Sequence, residues 1–96
     1  LGAVGTISVT ANVAPRLMHV MCQAALAGDL ATARAINFQL LDLHRDLFIE
    51  PSPAPTKWAL QQMGLIDGAL RLPLLPLTAA SYERVRAALH AADIVI

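Results

Sequence analysis

The sequence predicts a mainly α-helical chain, with one N-terminal β-strand followed by four helices. Residues 5–10, GTISVT, alternate polar and apolar side chains and are rich in β-branched types, the pattern of a half-buried strand. Beyond them, apolar residues recur at steps of three and four between Pro, Gly, Asp and Thr, the pattern of amphipathic helices. No second strand pattern follows. A lone strand leaves its backbone donors and acceptors unpaired, which is costly when buried. The strand is therefore expected either to pair with another chain or to belong to a larger sheet.

The elements follow in order. Asn12 and Pro15 open a helix over about 15–27, with Leu17, Val20, Met21, Ala24 and Ala25 on one face and Gly28 as terminator. Asp29 caps a longer helix reaching about Phe48, with Leu30, Ala33, Ile36, Leu40, Leu43 and Leu47 in one stripe. Leu41 and Phe48 widen that stripe, so this helix is expected to be buried on more than one side. Prolines 51, 53 and 55 make a stiff connector, and a third helix runs from about Pro55 to Met63, ending at Gly64. Residues 65–78 read as an irregular apolar loop lying on the helices. Thr78 or Ser81 starts the last helix, with Tyr82, Val85, Ala88, Leu89 and Ala92 facing inward. The last three helices suit a small bundle.

Composition narrows the function classes. Apolar residues make up 56% of the 96 and charged residues only 15%, against a usual quarter charged. Mean hydropathy is +0.56, yet no apolar run approaches the roughly 18–20 residues of a membrane span. A chain this apolar is expected to carry faces that something else covers. Formal charge is zero, with 7 basic and 7 acidic side chains, so the basic footprint of a nucleic-acid binder is missing. Cys22 is the single cysteine, which excludes an internal disulfide and suits a reducing, cytoplasmic setting.

Few residues suggest chemistry. His19 and Cys22 stand three apart on a helix, but two ligands do not make a zinc site, and packing is the commoner role. His44 and Arg45 lie between Asp42 and Asp46, a cluster that reads first as a solvated face or an interhelix ion pair. Lys57, the single lysine, is a formal Schiff-base candidate, but its place at a helix start beside Trp58 fits a surface lysine. Trp58 itself reads as packing. There is no Gly-rich phosphate loop, serine elbow or acidic metal cluster, and no cofactor is expected.

Three segments, GTISVTANVAPR (5–16), LDLHRDLFIEPSPAPTKWAL (41–60) and LRLPLLPLT (70–78), resemble the C-terminal third of the dihydrodipicolinate synthase family, and the likeness runs over essentially the whole chain. These enzymes are pyruvate-dependent class I aldolases. The resemblance implies the end of a (β/α)8 barrel with its C-terminal helical extension. Residues 1–28 would be the last barrel strand and helix, and 29–96 the three-helix extension. A barrel takes about 250 residues, so the resemblance places roughly 200 upstream of Leu1.

The resemblance also implies a reaction. The family condenses pyruvate with L-aspartate 4-semialdehyde through a lysine Schiff base, giving 4-hydroxy-tetrahydrodipicolinate for diaminopimelate and lysine biosynthesis. The enzymes are cytoplasmic and usually homotetrameric. The nucleophilic lysine and its helpers belong to earlier strands, as does the lysine feedback site, so this piece alone is expected to be inactive. Ile7 maps to a pocket residue that lines the pyruvate site largely through its main chain; ordinary core packing is its other role. Lys57 matches a family lysine that is not the nucleophile. Ser52 stands where the family usually has Asn. Partners implied are pyruvate, the semialdehyde, the rest of the barrel and further copies of the chain, with neither nucleic acid nor membrane. A related aldolase such as N-acetylneuraminate lyase, or an independent helical interaction module, is the alternative.

Overall fold

The computed structural model describes residues 2–96. Four helices form where local chemistry starts and stops them: α1 (Pro15–Leu26), α2 (Leu30–Asp46), α3 (Ala54–Gln62) and α4 (Ala79–Ala91). Pro15 occupies the first turn of α1, where a missing N–H costs nothing. α1 ends at Gly28, whose φ of +80° is the left-handed conformation glycine adopts freely. The Asp29 N–H then reaches the Ala24 carbonyl and the Gly28 N–H the Ala25 carbonyl, the paired bonds that close such a helix end. Asp29 caps α2 by accepting from the Thr32 N–H at 3.1 Å.

The N-terminal strand does not form. Residues 2–7 carry no regular secondary structure, and there is no β-strand among the described residues; Leu1 lies outside them. The alternating pattern over 5–10 is present, but the described chain offers no second row of donors and acceptors to complete a ladder. Past Ile7 the backbone turns instead. The Ser8 hydroxyl accepts from the Ala11 N–H, and Thr10–Asn12 form a short 3-10 turn. Thr10, expected at a strand end, thus opens a turn whose carbonyl accepts from Val13 and Ala14 N–H at 3.0 and 2.8 Å.

One apolar cluster holds the helices together. Val13 and Met18 join Leu40, Leu43 and Leu47 from α2 and its end, Trp58 and Ala59 from α3, and Val85, Ala88 and Leu89 from α4. Burial of α2 is one-sided, contrary to its sequence pattern: Leu40, Leu43 and Leu47 are fully covered, while Leu30, Phe38, Leu41 and Phe48 are exposed. The wide apolar girth of α2 exceeds what three neighbouring helices can cover.

Between α3 and α4 the chain is irregular, as the prolines dictate, and only Leu77 of that stretch is buried. The Ser52–Pro53 and Leu72–Pro73 peptide bonds are cis. Thr78 caps α4 without a side-chain bond of its own into the helix. Glu50 accepts instead from the Thr78 N–H at 3.1 Å and its hydroxyl at 2.7 Å, tying the proline connector to the start of α4. The Ser81 and Thr78 hydroxyls hold the Glu50 carboxyl below its ordinary range.

Candidate functional site

Two open clefts meet at the N-terminal segment. The smaller, about 380 Å³, is lined by Ile7, Ser8, Thr10, Met18, His44 and Phe48 among others. The larger, about 850 Å³, runs between residues 2–6 and the faces of α1 and α2, past Met21, Cys22, Leu26, Leu30 and Arg34. Its walls are mostly apolar.

Ile7 sits at the rim of the smaller cleft with its side chain wholly exposed. No described hydrogen bond engages the backbone of residues 2–7. The fixed part of this cleft lies one turn further on. Thr10 Oγ1 stands 2.8 Å from His44 Nδ1, joining positions 34 apart in the chain. Burial pushes the His44 imidazole below its ordinary pKa. Thr10 Oγ1 and His44 Nδ1 share this hydrogen bond, with the donor set by the imidazole tautomer.

The rest of the candidate cluster around His44 points elsewhere. Arg45 donates from Nε and Nη2 to Asp46, both at 2.8 Å, and Nη2 also reaches Asp42 at 3.0 Å. Arg84 Nε donates to the same Asp46 carboxylate at 3.1 Å. The Arg45 fork, its largest influence, holds the Asp46 carboxyl below its ordinary range, against the opposing effect of burial. The sequence reading of a solvated face or an interhelix ion pair resolves to the latter, with a buried acid between exposed guanidinium groups.

The remaining candidates are structural or unpartnered. His19 is exposed and Cys22 half-buried, and no group of three metal-binding side chains exists among the described residues. Lys57 Nζ donates to the Ala69 carbonyl at 2.6 Å, which spends the ammonium on a loop. Trp58 is buried and stacks on Tyr82, with ring centroids 5.0 Å apart and planes 15° from parallel. The Arg86 guanidinium lies 5.6 Å from the Trp58 centroid.

Chemically, the cleft beside Ile7 offers hydroxyls, one imidazole and free backbone groups, but neither an amine nucleophile nor a carboxylate. It can hold a small polar molecule against an apolar wall, and its lining lacks the amine that a Schiff base requires. Sequence reasoning found Ile7 and His44 separately and missed Thr10. The available signal was His44 one residue past the core position Leu43 on α2, which sets its ring beside the turn after the N-terminal segment.

Residues 2–7 make no backbone hydrogen bond among the described residues, and the groove beside residues 2–6 is a mostly apolar face of a helical unit. The sequence pattern of the Dihydrodipicolinate synthetase family matches residues 1–92, and the chain belongs to that family. A 4-hydroxy-tetrahydrodipicolinate synthase of Azoarcus sp. is 62% identical over 98% of this chain and 32% of its own length. The synthase of Nitrosomonas europaea is 59% identical over 100% of the chain and 33% of its own length. Among solved structures, the chloride-inhibited dihydrodipicolinate synthase of Acinetobacter baumannii complexed with pyruvate is 49% identical. It matches with a TM-score of 0.93 over 98% of this chain and 32% of that one. The Thermotoga maritima synthase matches at 0.92, with 38% identity over 98% of this chain and 32% of that one. The chain thus spans about a third of the length of the relatives it matches.

Proposed function

We propose that this chain is the C-terminal part of a synthase that condenses pyruvate with L-aspartate 4-semialdehyde to give 4-hydroxy-tetrahydrodipicolinate, through a Schiff base on a lysine elsewhere in the enzyme. Residues 1–28 then close a (β/α)8 barrel with their N-terminal segment and α1, and 29–96 form the helical extension. The observation that carries this reading is high identity to named synthases over 98% of the chain but only 32% of theirs. The exposed apolar groove beside residues 2–6 supports it, since it supplies a face for the remaining two-thirds to cover.

In this reading the piece supplies architecture and one wall of the pocket. Ile7 borders the pyruvate through its main chain, whose N–H and C=O are free in the described chain. Barrel sites lie at the ends of strands, where such a position is apt. Lys57 is read as structural, since its Nζ donates to the Ala69 carbonyl of the following loop. The enzyme works in the cytoplasm as a homotetramer, and residues 1–96 alone are inactive.

The test is borohydride trapping with pyruvate, read by intact mass. The full-length enzyme should gain one reduced pyruvyl group per subunit, and the 96-residue chain none. An adduct on the short chain that peptide mapping places on Lys57 would overturn this assignment.

A further inference from the structure

We propose that His44 is a positioning residue for this reaction: through Thr10 it fixes the Ile7–Thr10 backbone that borders the pyruvate site. This rests on the reading of the chain as part of a synthase with Ile7 at the pocket. The bond itself is between Thr10 Oγ1 and His44 Nδ1, at 2.8 Å. Thr10 is 2% exposed, so water cannot readily replace a lost partner. His44 is held from below, because Leu40 and Leu47, about one turn before and after it, are fully buried in the core.

Thr10 is also fixed through its backbone. Its carbonyl accepts from the Val13 and Ala14 N–H groups, and Ser8 just before it accepts from the Ala11 N–H. Between Thr10 and Ile7 only two residues remain, and one of them is already tied. The ring of His44 therefore sets where the backbone of Ile7 lies relative to α2. Both His44 and Ile7 line the same cleft, yet the imidazole reaches the segment by way of Thr10. The helical extension is thus wired to the pocket wall by a single side-chain bond, in addition to general packing.

Three single variants of the full-length synthase and one double variant test this. Thr10→Val keeps the shape and removes the hydroxyl; His44→Leu removes the ring nitrogen; His44→Asn returns a hydrogen-bonding amide near the Nδ1 position. Loss of one buried hydrogen bond should raise the KM for pyruvate about five- to tenfold in the first two, with kcat within about twofold. His44→Asn should recover most of that loss, and the Thr10→Val/His44→Leu double variant should cost no more than either single change. A purely structural role would lower the melting temperature and the active fraction while leaving KM unchanged. An unchanged KM in folded Thr10→Val overturns the assignment, and this variant decides the matter if His44→Leu does not fold. A wild-type enzyme that traps no pyruvate would overturn the underlying reading, and the role of His44 with it.

Discussion

Arg84 Nε lies 3.1 Å from Asp46 Oδ1, joining α4 to the end of α2 at a carboxylate only 3% exposed. Arg45 closes on the same group with two bonds of 2.8 Å. The two arginines are more than half exposed, so solvent shares their charge while the acid is fully committed to them. Removing one arginine leaves the acid still paired; removing the acid leaves Arg45 Nε and Arg84 Nε without their acceptor, while Arg45 Nη2 keeps Asp42.

Asp46→Asn should therefore destabilise the protein by about 1.5–3 kcal/mol, the range for hydrogen bonds to a charged group. Arg84→Met should cost under about 1 kcal/mol, as for an exposed pair. The acid response follows from the same contacts. The folded Asp46 carboxyl titrates below its unfolded value, chiefly through Arg45, so at intermediate pH the unfolded chain binds more protons. This contribution is complete above about pH 4, the unfolded carboxyl range, and fades as pH falls through the lowered folded value. Thermal melting from pH 6 downward should show a loss on acidification that is shallower in Asp46→Asn. An identical slope in both proteins would remove Asp46 from the explanation.

What was legible in the sequence, and what was not, divides by range. Helix ends depend on residues within one turn: Asp29 before α2, Gly28 after α1 and Gly64 after α3 do what their chemistry suggests, while Thr78 stands at the start of α4 with its hydroxyl spent on Glu50. A strand depends on a neighbour, and none is present for residues 5–10, so a good alternating pattern yields no ladder. The stripe of α2 was legible as apolar, but its covering was not, because Leu30, Leu41 and Phe48 are left at least half exposed. The contacts at the candidate site are of the long-range kind: Thr10 and His44 are 34 residues apart, and Asp46 and Arg84 are 38. No local pattern announces either pair.

Thr56 offers a gain rather than a loss. It is 5% exposed in the first turns of α3, and its hydroxyl has no hydrogen-bond partner in the protein. A buried unpaired hydroxyl costs about 1–3 kcal/mol relative to a satisfied one. Thr56→Val keeps the branched shape and removes the polar atom, so it should leave stability unchanged or raise it by up to about 1 kcal/mol. A clear fall in melting temperature would mean the hydroxyl is bonded in solution.

The stack of Trp58 on Tyr82 makes α3 report on α4. Their rings lie 5.0 Å apart in an offset-compatible, nearly parallel arrangement, worth about 0.5–1.5 kcal/mol beyond simple burial. Tyr82→Leu should keep most of the apolar packing and lose that increment. Trp58→Ala should cost about 3–5 kcal/mol, as for other buried aromatics. Trp58 is the single tryptophan of the 96 residues, so its emission in the isolated chain should shift to longer wavelength in Tyr82→Ala. Unchanged emission would place Tyr82 away from the indole.

The uncovered face gives the last prediction. Ile7, Phe38, Leu41 and Phe48 are each at least half exposed, and the groove beside residues 2–6 is walled mainly by apolar atoms. Burying a large apolar side chain gains about 1.5–3 kcal/mol, so four of them left in water favour any surface that covers them. On the proposed reading, the remainder of the full-length chain supplies that surface, and a hydrophobic dye should find little to bind there. The isolated 96-residue chain should bind the dye strongly and elute larger than its 10.2 kDa. Phe38→Asp separates the two settings. On the isolated chain it should reduce both self-association and dye binding, because a charge opposes apolar contact at no cost to a side chain already 65% exposed. In the full-length enzyme the same change should lower the melting temperature, because there the charge would have to be buried. If Phe38→Asp leaves the melting temperature of the full-length enzyme unchanged, this part of α2 faces water there too. The apolar girth of α2 would then need a different partner.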